Sequence, residues 1–445
     1  MHSTEVNGRS RLRVWQRVRE YAVPPPMIKA STARRLAGDW AGACSAARID
    51  TELDLRALRR RFGAELSTAV RDDLRHLAPE LLRWHMPRMM PDGLLRPGLT
   101  VSLARYRTGE LTAHLVIRTP PAWASGPQRM VLSWWYGAAG HHPHPRPDRR
   151  FRLDLHRHLW DARRTAELPD RGGRPGDAAP DGGAPRRWAA EAEILRTAER
   201  APDSDVVVRL GSRRLVLRPG GTVTELPSGI RPSRPGALPL ALPDAATWVP
   251  PDVLLLEAGM VQPAQLHPLV ADALGAHSPE CDTRPSAPGT RLVDCRGAVH
   301  RLRVVDGVLT ILDHDPEEIR REQLLATLTG APLPCLQVVD RLYRSPAELD
   351  EVRARLDHGD AASAVAVIED LLGADAVLRA GDLQAELTAA ASTRIAYGAY
   401  RAGLSPVLLD PDAQRAPARI LLSGGIRRDA RHRTPRRRVR QRVPA

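Results

Sequence analysis

The sequence has 445 residues, 42% of them hydrophobic, which is compatible with two or three folded domains and excludes a wholly disordered chain. The formal charge of +14 lies mainly at the ends: residues 426–445 carry +8, residues 1–40 carry +5, and about +1 is left for residues 41–425. Because no apolar run reaches the ~20 residues of a membrane span and no uncharged apolar leader is found, we expect a soluble, cytoplasmic protein without a membrane partner.

The residue pattern predicts an α+β protein that begins with a helical region over residues 1–97. Apolar residues recur at steps of three and four from Leu55 to Leu81, which predicts one amphipathic helix with a wet, charged face. Pro79 is expected to kink or restart this helix.

The middle of the chain has the character of β-structure. Within residues 98–168, a β-hairpin is predicted over 99–118 and a third strand over 130–136. Residues 169–187 are rich in Pro, Gly and Asp and are predicted to be a linker with nothing to pack. Residues 188–288 are predicted to be a mixed segment with a hairpin at 206–218 and an irregular, Pro-rich stretch.

Residues 289–405 are predicted to form a β-meander followed by helices. Three apolar runs within 290–314 are joined by Arg296-Gly297 and by Asp306-Gly307, and Asp-Gly is a strong hairpin signal. Asp315 is placed to cap a helix over 316–329. Residues 406–445 are predicted to be a disordered, Arg-rich tail.

One short turn occurs twice, as Gly38-Asp39 and as Gly359-Asp360. In each copy the Gly can end one helix in a left-handed conformation and the Asp can begin the next, which predicts an αα-hairpin. The segment GDWAGA resembles the inter-helix turn of tetratricopeptide repeats. The copies are 321 residues apart with β-structure between them, so we expect one turn used twice and no tandem array.

Longer segments carry a wider resemblance. MIKASTARRLAGDWAGACSAARID, LRHLAPELLRWHMPR and DLHRHLWDARR resemble a family of uncharacterised proteins from high-GC Gram-positive bacteria, and the resemblance spans most of the chain. A high-GC origin is also indicated by the basic residues, since Lys29 is the only lysine. The resemblance implies no established activity and no catalytic residues.

Histidines near the middle of the chain are the first candidates for chemistry, because imidazole is the commonest metal ligand. They are His141, His142, His144, His156 and His158. If 154–158 is a strand, Asp154, His156 and His158 share a face and could hold a metal; in a helix, only Asp154 and His158 do. We favour the alternative that these histidines bind no metal, since the first three lie among prolines in an exposed loop.

Other candidate sites have weaker support. Asp313, His314 and Asp315 could serve acid–base chemistry, but Asp315 is better explained as a helix cap. The cysteines, Cys44, Cys281, Cys295 and Cys335, are far apart and form no C-x-x-C pair, so neither a zinc site nor a disulfide framework is predicted. No nucleotide-binding or hydrolase motif occurs, and we expect no catalytic residue, no metal and no cofactor.

These observations favour a non-enzymatic protein-interaction module whose helical hairpins contact an unknown protein partner. One alternative is non-specific nucleic-acid binding through the basic ends, because guanidinium groups bind phosphates. A further alternative is an enzyme that uses the His156 and His158 region. The candidate nucleic-acid contacts in the tail are Arg427, Arg428, Arg431, Arg433, Arg436, Arg437, Arg438, Arg440 and Arg442.

Overall fold

Short helices alternate with three small sheets, which confirms the predicted α+β class. The computed structural model describes residues 2–108, 111–137, 142, 144–226, 239–276, 290–295, 297–329 and 333–404, so the predicted tail lies outside the described residues. The α-helices are α1 (His2–Arg17), α2 (Pro25–Leu36), α3 (Trp40–Ala46), α4 (Leu55–Phe62), α5 (Ala64–His76), α6 (Pro79–His85), α7 (Leu168–Gly172), α8 (Pro185–Glu199), α9 (Asp244–Thr247), α10 (Pro251–Glu257), α11 (Pro268–Leu274), α12 (Pro316–Thr329), α13 (Pro334–Arg344), α14 (Leu349–Asp357), α15 (Ala361–Leu372) and α16 (Asp382–Arg401). The strands are β1 (Ile49–Glu52), β2 (Thr100–Thr108), β3 (Leu111–Arg118), β4 (Met130–Trp135), β5 (Val206–Leu210), β6 (Arg213–Leu217), β7 (Val223–Leu226), β8 (Leu240–Ala241), β9 (Arg291–Cys295), β10 (Ala298–Val305) and β11 (Val308–Ile311).

The first sheet forms the centre of the N-terminal body, the described part of the chain up to residue 276. Its strand order is β1-β4-β3-β2, with β1 parallel to β4 and the other pairs antiparallel. The predicted hairpin is β2–β3 and the predicted third strand is β4, whereas the short strand β1 was not predicted. Leu103, Leu115 and Ile117 of this sheet are fully buried together with Leu74 and Leu82 of the preceding helices.

The structure divides the amphipathic segment predicted as one helix from Leu55 into α4, α5 and α6. The restart at Pro79 is confirmed, whereas the break at Gly63 was not predicted. Gly63 interrupts the first part with a φ of +91°, a backbone conformation that favours glycine. Pro79 then occupies the first position of α6, where a missing N–H costs nothing. The predicted apolar stripe is present, but it continues across two breaks between helices.

Residues 169–187, predicted to be a linker with nothing to pack, are instead packed against the fold. α7 lies at the start of this segment, and the Arg171 guanidinium pairs with the buried Glu191 carboxylate of α8 at 2.5 Å. A Cβ on Gly172 would lie 3.1 Å from the ring of Pro250, and Ala184 is 2% exposed. The small residues here allow close packing.

The predicted meander and the helix after it are confirmed. β9, β10 and β11 pair in order and antiparallel, with Cys295 opposite Ala298 and Leu302 opposite Ile311. The Asp315 carboxylate accepts a hydrogen bond from a backbone N–H in the first turn of α12, at 2.8 Å. Within the described ranges, no helix has both the length and the apolar character that a membrane span requires.

Both copies of the repeated turn form αα-hairpins, α2–α3 and α14–α15, as predicted. Gly38 and Gly359 have φ values of +78° and +80°. The two aspartates differ: the Asp39 carboxylate caps α3 by accepting a 2.8 Å hydrogen bond from the Gly42 N–H, whereas the Asp360 carboxylate lies 2.8 Å from the guanidinium of Arg48 in the N-terminal body. The second turn therefore docks the C-terminal helices onto the rest of the chain.

Candidate metal centre

Four side chains converge in the C-terminal unit, the described part of the chain from residue 290 to residue 404. They are Cys295, His300, His314 and Cys335. One ligand atom from each lies within 4.8 Å of all the others. Cys295 is 2% exposed, Cys335 is fully buried and His300 is 8% exposed. Two thiols and two imidazoles make up a donor set that suits zinc.

The meander explains how residues distant in sequence meet. Cys295 ends β9 opposite Ala298, and His300 follows two residues later on the same face of β10, since side chains alternate along a strand. His314 lies just beyond β11, whose buried Ile311 pairs with Leu302. The fourth member, the cysteine at the start of α13, reaches the same face because α13 packs on β9.

The two sulfur atoms are in hydrogen-bond contact, a few tenths of an ångström closer than two thiolate ligands of one zinc ion. Cys295 Sγ and Cys335 Sγ are 3.4 Å apart. Two thiolates on a tetrahedral zinc, each at about 2.3 Å from the ion, are separated by about 3.8 Å, whereas a disulfide requires about 2.05 Å. Both side chains are free thiols in this structure.

The two histidines supply the remaining donors. Their rings are 4.1 Å apart at 62°, and His300 Nδ1 and His314 Nε2 are buried without a hydrogen-bond partner among the described residues. His314 Nδ1 lies 3.0 Å from the carboxylate of Glu318, in the first turn of α12. A carboxylate that holds the second nitrogen of an imidazole is the usual companion of a metal-ligating histidine, because it fixes the ring orientation.

The cluster also has the electrostatics of a site that exchanges protons for a cation. The hydrogen bond to Glu318 raises the pKa of His314. Burial raises the pKa of Cys335; burial would also raise that of Cys295, but the backbone N–H of Cys335 and the nearby His314 outweigh it and lower that pKa. Because a ligating thiol must lose its proton, metal binding here would release protons and weaken in acid.

The histidine group predicted around residues 141–158 does not assemble a site. His141 lies outside the described residues. His142 donates through Nε2 to the Thr119 carbonyl at 2.9 Å and accepts through Nδ1 from the His144 N–H at 3.1 Å, so neither nitrogen is free. Burial lowers the pKa of His142. His142 therefore holds its own segment to Thr119 by a hydrogen bond and has a structural role.

The proposed triad of Asp154, His156 and His158 also fails to converge, because 154–158 is neither strand nor α-helix. His158 lies in a 3₁₀ turn, and its ring centre is 5.8 Å from that of His156. The Asp154 carboxylate is held by Arg152 at 2.8 and 2.9 Å, while His156 faces the Arg152 carbonyl and the Glu191 carboxylate. Asp154 and His156 therefore already have structural contacts, whereas both ring nitrogens of His158 are buried without a hydrogen-bond partner among the described residues.

The acid–histidine–acid cluster predicted at 313–315 is separated in the structure. Asp313 pairs with Arg301, at 2.7 Å from its guanidinium, and Asp315 caps α12. Only His314 turns toward the two cysteines. The histidine therefore belongs to the metal cluster, and the two acids have structural roles.

The cysteines were not expected to form a zinc site, because none of them belongs to a C-x-x-C pair. Of the other cysteines, Cys281 lies outside the described residues, and Cys44 is buried elsewhere, where burial raises its pKa to about 12. The nine candidate arginines of the tail, Arg427 to Arg442, also lie outside the described residues. The signal that could have found the cluster was the C-x4-H spacing of Cys295 and His300 across a predicted hairpin, because that spacing puts both on one face.

Comparison of the chain with protein-family models, with curated proteins and with solved structures gave no match. The resemblance to proteins of high-GC Gram-positive bacteria therefore stays a prediction, and the case for function depends on the geometry of the chain itself.

Proposed function

We propose that this is a non-enzymatic zinc-binding protein, in which one zinc ion cross-links the meander to the helices of the C-terminal unit. The observation that carries the proposal is the convergence of two thiols and two imidazoles within 4.8 Å. The ion would join β9, β10, the β11–α12 junction and α13, four segments that are otherwise held by a small apolar core. In a unit of this size a structural metal adds folding free energy directly.

A structural role is favoured over a catalytic one by the number of protein ligands. Cys295, Cys335, His300 and His314 would fill all four tetrahedral positions, whereas a catalytic zinc keeps one position for water or substrate. The burial of both cysteines supports the same role.

The protein-interaction role predicted from the helical hairpins remains part of this proposal. The turn of α14–α15 contacts Arg48 of the same chain, so an external partner would have to use another surface of the C-terminal helices. The alternatives, nucleic-acid binding through the basic ends and catalysis at His156 and His158, have no specific observation in their favour among the described residues.

The proposal is tested by metal analysis of the purified full-length chain. We expect about one zinc per chain for the wild type and a loss of that zinc in Cys295→Ala and Cys335→Ala. Cys44→Ala is the matched control, since it removes a buried thiol outside the cluster. Replacement of zinc by cobalt should give the thiolate charge-transfer band and the visible bands of a tetrahedral site.

Two outcomes would count against the proposal. The first is wild-type protein that stays free of zinc after it has been incubated with the metal and desalted. The second is equal zinc content in all three cysteine variants.

A further inference from the structure

A cavity of about 340 Å³ lies in the N-terminal body, far in sequence from the metal centre and sharing no residue with it. It is bounded by α1, by the segment after α6, by residues 150–153 and by the chain from α9 to α10. Its volume is in the range of pockets that hold small organic ligands. The walls combine aromatic rings with guanidinium groups.

Three aromatic side chains supply the apolar walls: Trp15, Phe151 and Trp248. Trp15 is supported from behind by the fully buried Trp84, whose ring centre is 5.1 Å away in an edge-to-face arrangement. Neither Trp15 nor Trp248 is fully buried, so both leave ring surface available to a ligand. Rings of this kind accept planar aromatic groups by stacking.

Five arginines line the same cavity, and two of them form ion pairs with carboxylates. Arg152 pairs with Asp154 and Glu199, and Arg150 pairs with Asp244 at 2.6 Å. Asp244 is the single carboxylate among the lining residues.

The other three arginines, Arg11, Arg88 and Arg96, form no ion pair within the part of the chain that the structure describes, although Asp181 and Asp244 attract Arg11 at longer range. Arg88 is held in place by the carbonyl oxygens of Gly93 and Arg83, at 2.9 and 2.8 Å, and its Nε is buried without a partner. Burial lowers the pKa of Arg88 to about 9, so the group is still charged at neutral pH but lacks a counter-charge. A bound anion would supply one.

His85, the neighbouring histidine, adds no charge to the cavity. His85 also lines the cavity, and burial lowers its pKa to about 4, so it is neutral at physiological pH. Arg11 stacks over the Trp248 ring at 4.9 Å, and Arg96 lies 6.0 Å from the Phe151 ring centre. Positive charge and aromatic surface are therefore side by side on both walls.

We propose that this cavity binds a planar aromatic anion of the nucleoside monophosphate class. The base would pack against the aromatic walls and the phosphate would be held by Arg11, Arg88 and Arg96. Guanidinium groups match phosphate oxygens through paired N–H donors. The cavity is large enough for one such ligand, and its arginines without an ion-pair partner favour a phosphate over a neutral metabolite.

The test is titration of the zinc-loaded full-length chain with AMP and with GMP, followed by calorimetry and by quenching of tryptophan fluorescence. We expect at least one of them to bind with a dissociation constant below about 1 mM. Adenosine, which lacks the charge, and inorganic phosphate, which lacks the ring, should each bind at least about tenfold more weakly than AMP.

Two cavity variants locate the site. Arg96→Gln and Arg11→Gln should each weaken nucleotide binding about tenfold or more, since a hydrogen bond to a charged group is lost. Arg209→Gln is the matched control, because it removes one exposed arginine from β5, outside the cavity. Circular dichroism and thermal unfolding would show that all three variants are folded.

Several results would overturn the proposal: no binding of either nucleotide, equal affinity in the two cavity variants and in the control, or binding of phosphate or adenosine as tight as that of AMP. Because the cavity and the metal cluster have no residue in common, these results are independent of the zinc content.

Discussion

Arg48 and Asp360 form an ion pair of 2.8 Å that joins the N-terminal body to the turn between α14 and α15. The arginine also donates to the His358 carbonyl at 2.9 Å. Their side chains are 14% and 7% exposed, so the pair is largely removed from water. Breaking a buried pair by removing one partner is costly, because the other charge is left without compensation.

From this pair we predict that Arg48→Met lowers the free energy of unfolding by about 3–5 kcal/mol. Urea unfolding, monitored by tryptophan fluorescence and by far-ultraviolet circular dichroism, measures the change. Asp360→Asn should give a smaller loss, since the amide can still accept a hydrogen bond from Arg48. Asp370→Asn, an exposed position on α15, is the control and should have the stability of the wild type. An unchanged free energy in Arg48→Met would show that the contact does not hold the two parts together.

The two glycines of the repeated turn give a second prediction, because their backbones are alike and their surroundings differ. A Cβ on Gly38 would meet no atom within 4 Å, whereas a Cβ on Gly359 would lie 2.2 Å from the Pro127 carbonyl oxygen. Both residues have positive φ, so alanine is strained at either position by about 1–2 kcal/mol. Gly38→Ala should lose only this amount.

Gly359→Ala should lose substantially more, since the turn must also move away from the body. Denaturant midpoints of the two variants, compared under the same conditions, separate backbone strain from steric conflict. Equal losses would mean that the second turn has room for a side chain.

These contrasts show which features the sequence could predict. The hairpins, the meander and the capped helix α12 were predicted because turn and cap residues act locally: Asp315, for example, needs only the first turn of its own helix. The interface role of Asp360 was not predictable in this way, because its partner Arg48 lies in a distant segment. The local Gly-Asp pattern predicts the turn, but it does not predict which part of the protein the turn contacts.

The metal centre was missed for the same physical reason. Its four members come from three strands or their ends and from a helix, and only the register of the meander places them on one face. The prediction of a linker over 169–187 was wrong for a different reason. A composition rich in Gly and Pro indicated flexibility, but at Gly172 the absence of a side chain allows Pro250 to pack closely. Composition alone does not separate a flexible segment from a closely packed one.

The buried carboxylate of Glu191 gives a prediction about pH. Burial alone would raise its pKa, but hydrogen bonds from Arg171 and His156 outweigh burial and lower the pKa to about 2. A group whose pKa is lower in the folded state stabilises the fold above its unfolded pKa, here about 4.5, and this contribution is lost as the pH falls toward 2. The difference of roughly 2.5 pKa units corresponds to about 3 kcal/mol.

We therefore expect Glu191→Gln to be less stable than the wild type by about 3 kcal/mol at pH 7, and this difference should shrink below pH 4.5 and nearly vanish near pH 2. Urea unfolding of both proteins across that range measures it, and any release of metal in acid affects both equally. Glu65→Gln is a control, since Glu65 is an exposed residue of α5 and forms no ion pair among the described residues. A difference that persists unchanged at pH 2–3 would show that the carboxylate charge is not its source.

The carboxylate of Glu318 lies 3.0 Å from His314 Nδ1 and gives the last prediction. If His314 binds zinc through its other nitrogen, Glu318 orients the ring and makes it a better donor, so Glu318→Gln should lower zinc affinity by about 10–100-fold without changing the limiting stoichiometry. Competition with a chelating dye at pH 7 measures the affinity. Glu317→Gln is the matched control, because Glu317 precedes it on α12, is exposed and pairs only with Arg320 among the described residues. Since Glu318 is itself largely exposed and outside the core, the variant should fold normally when zinc is in excess. Equal affinities for the two variants would show that Glu318 does not support a metal ligand.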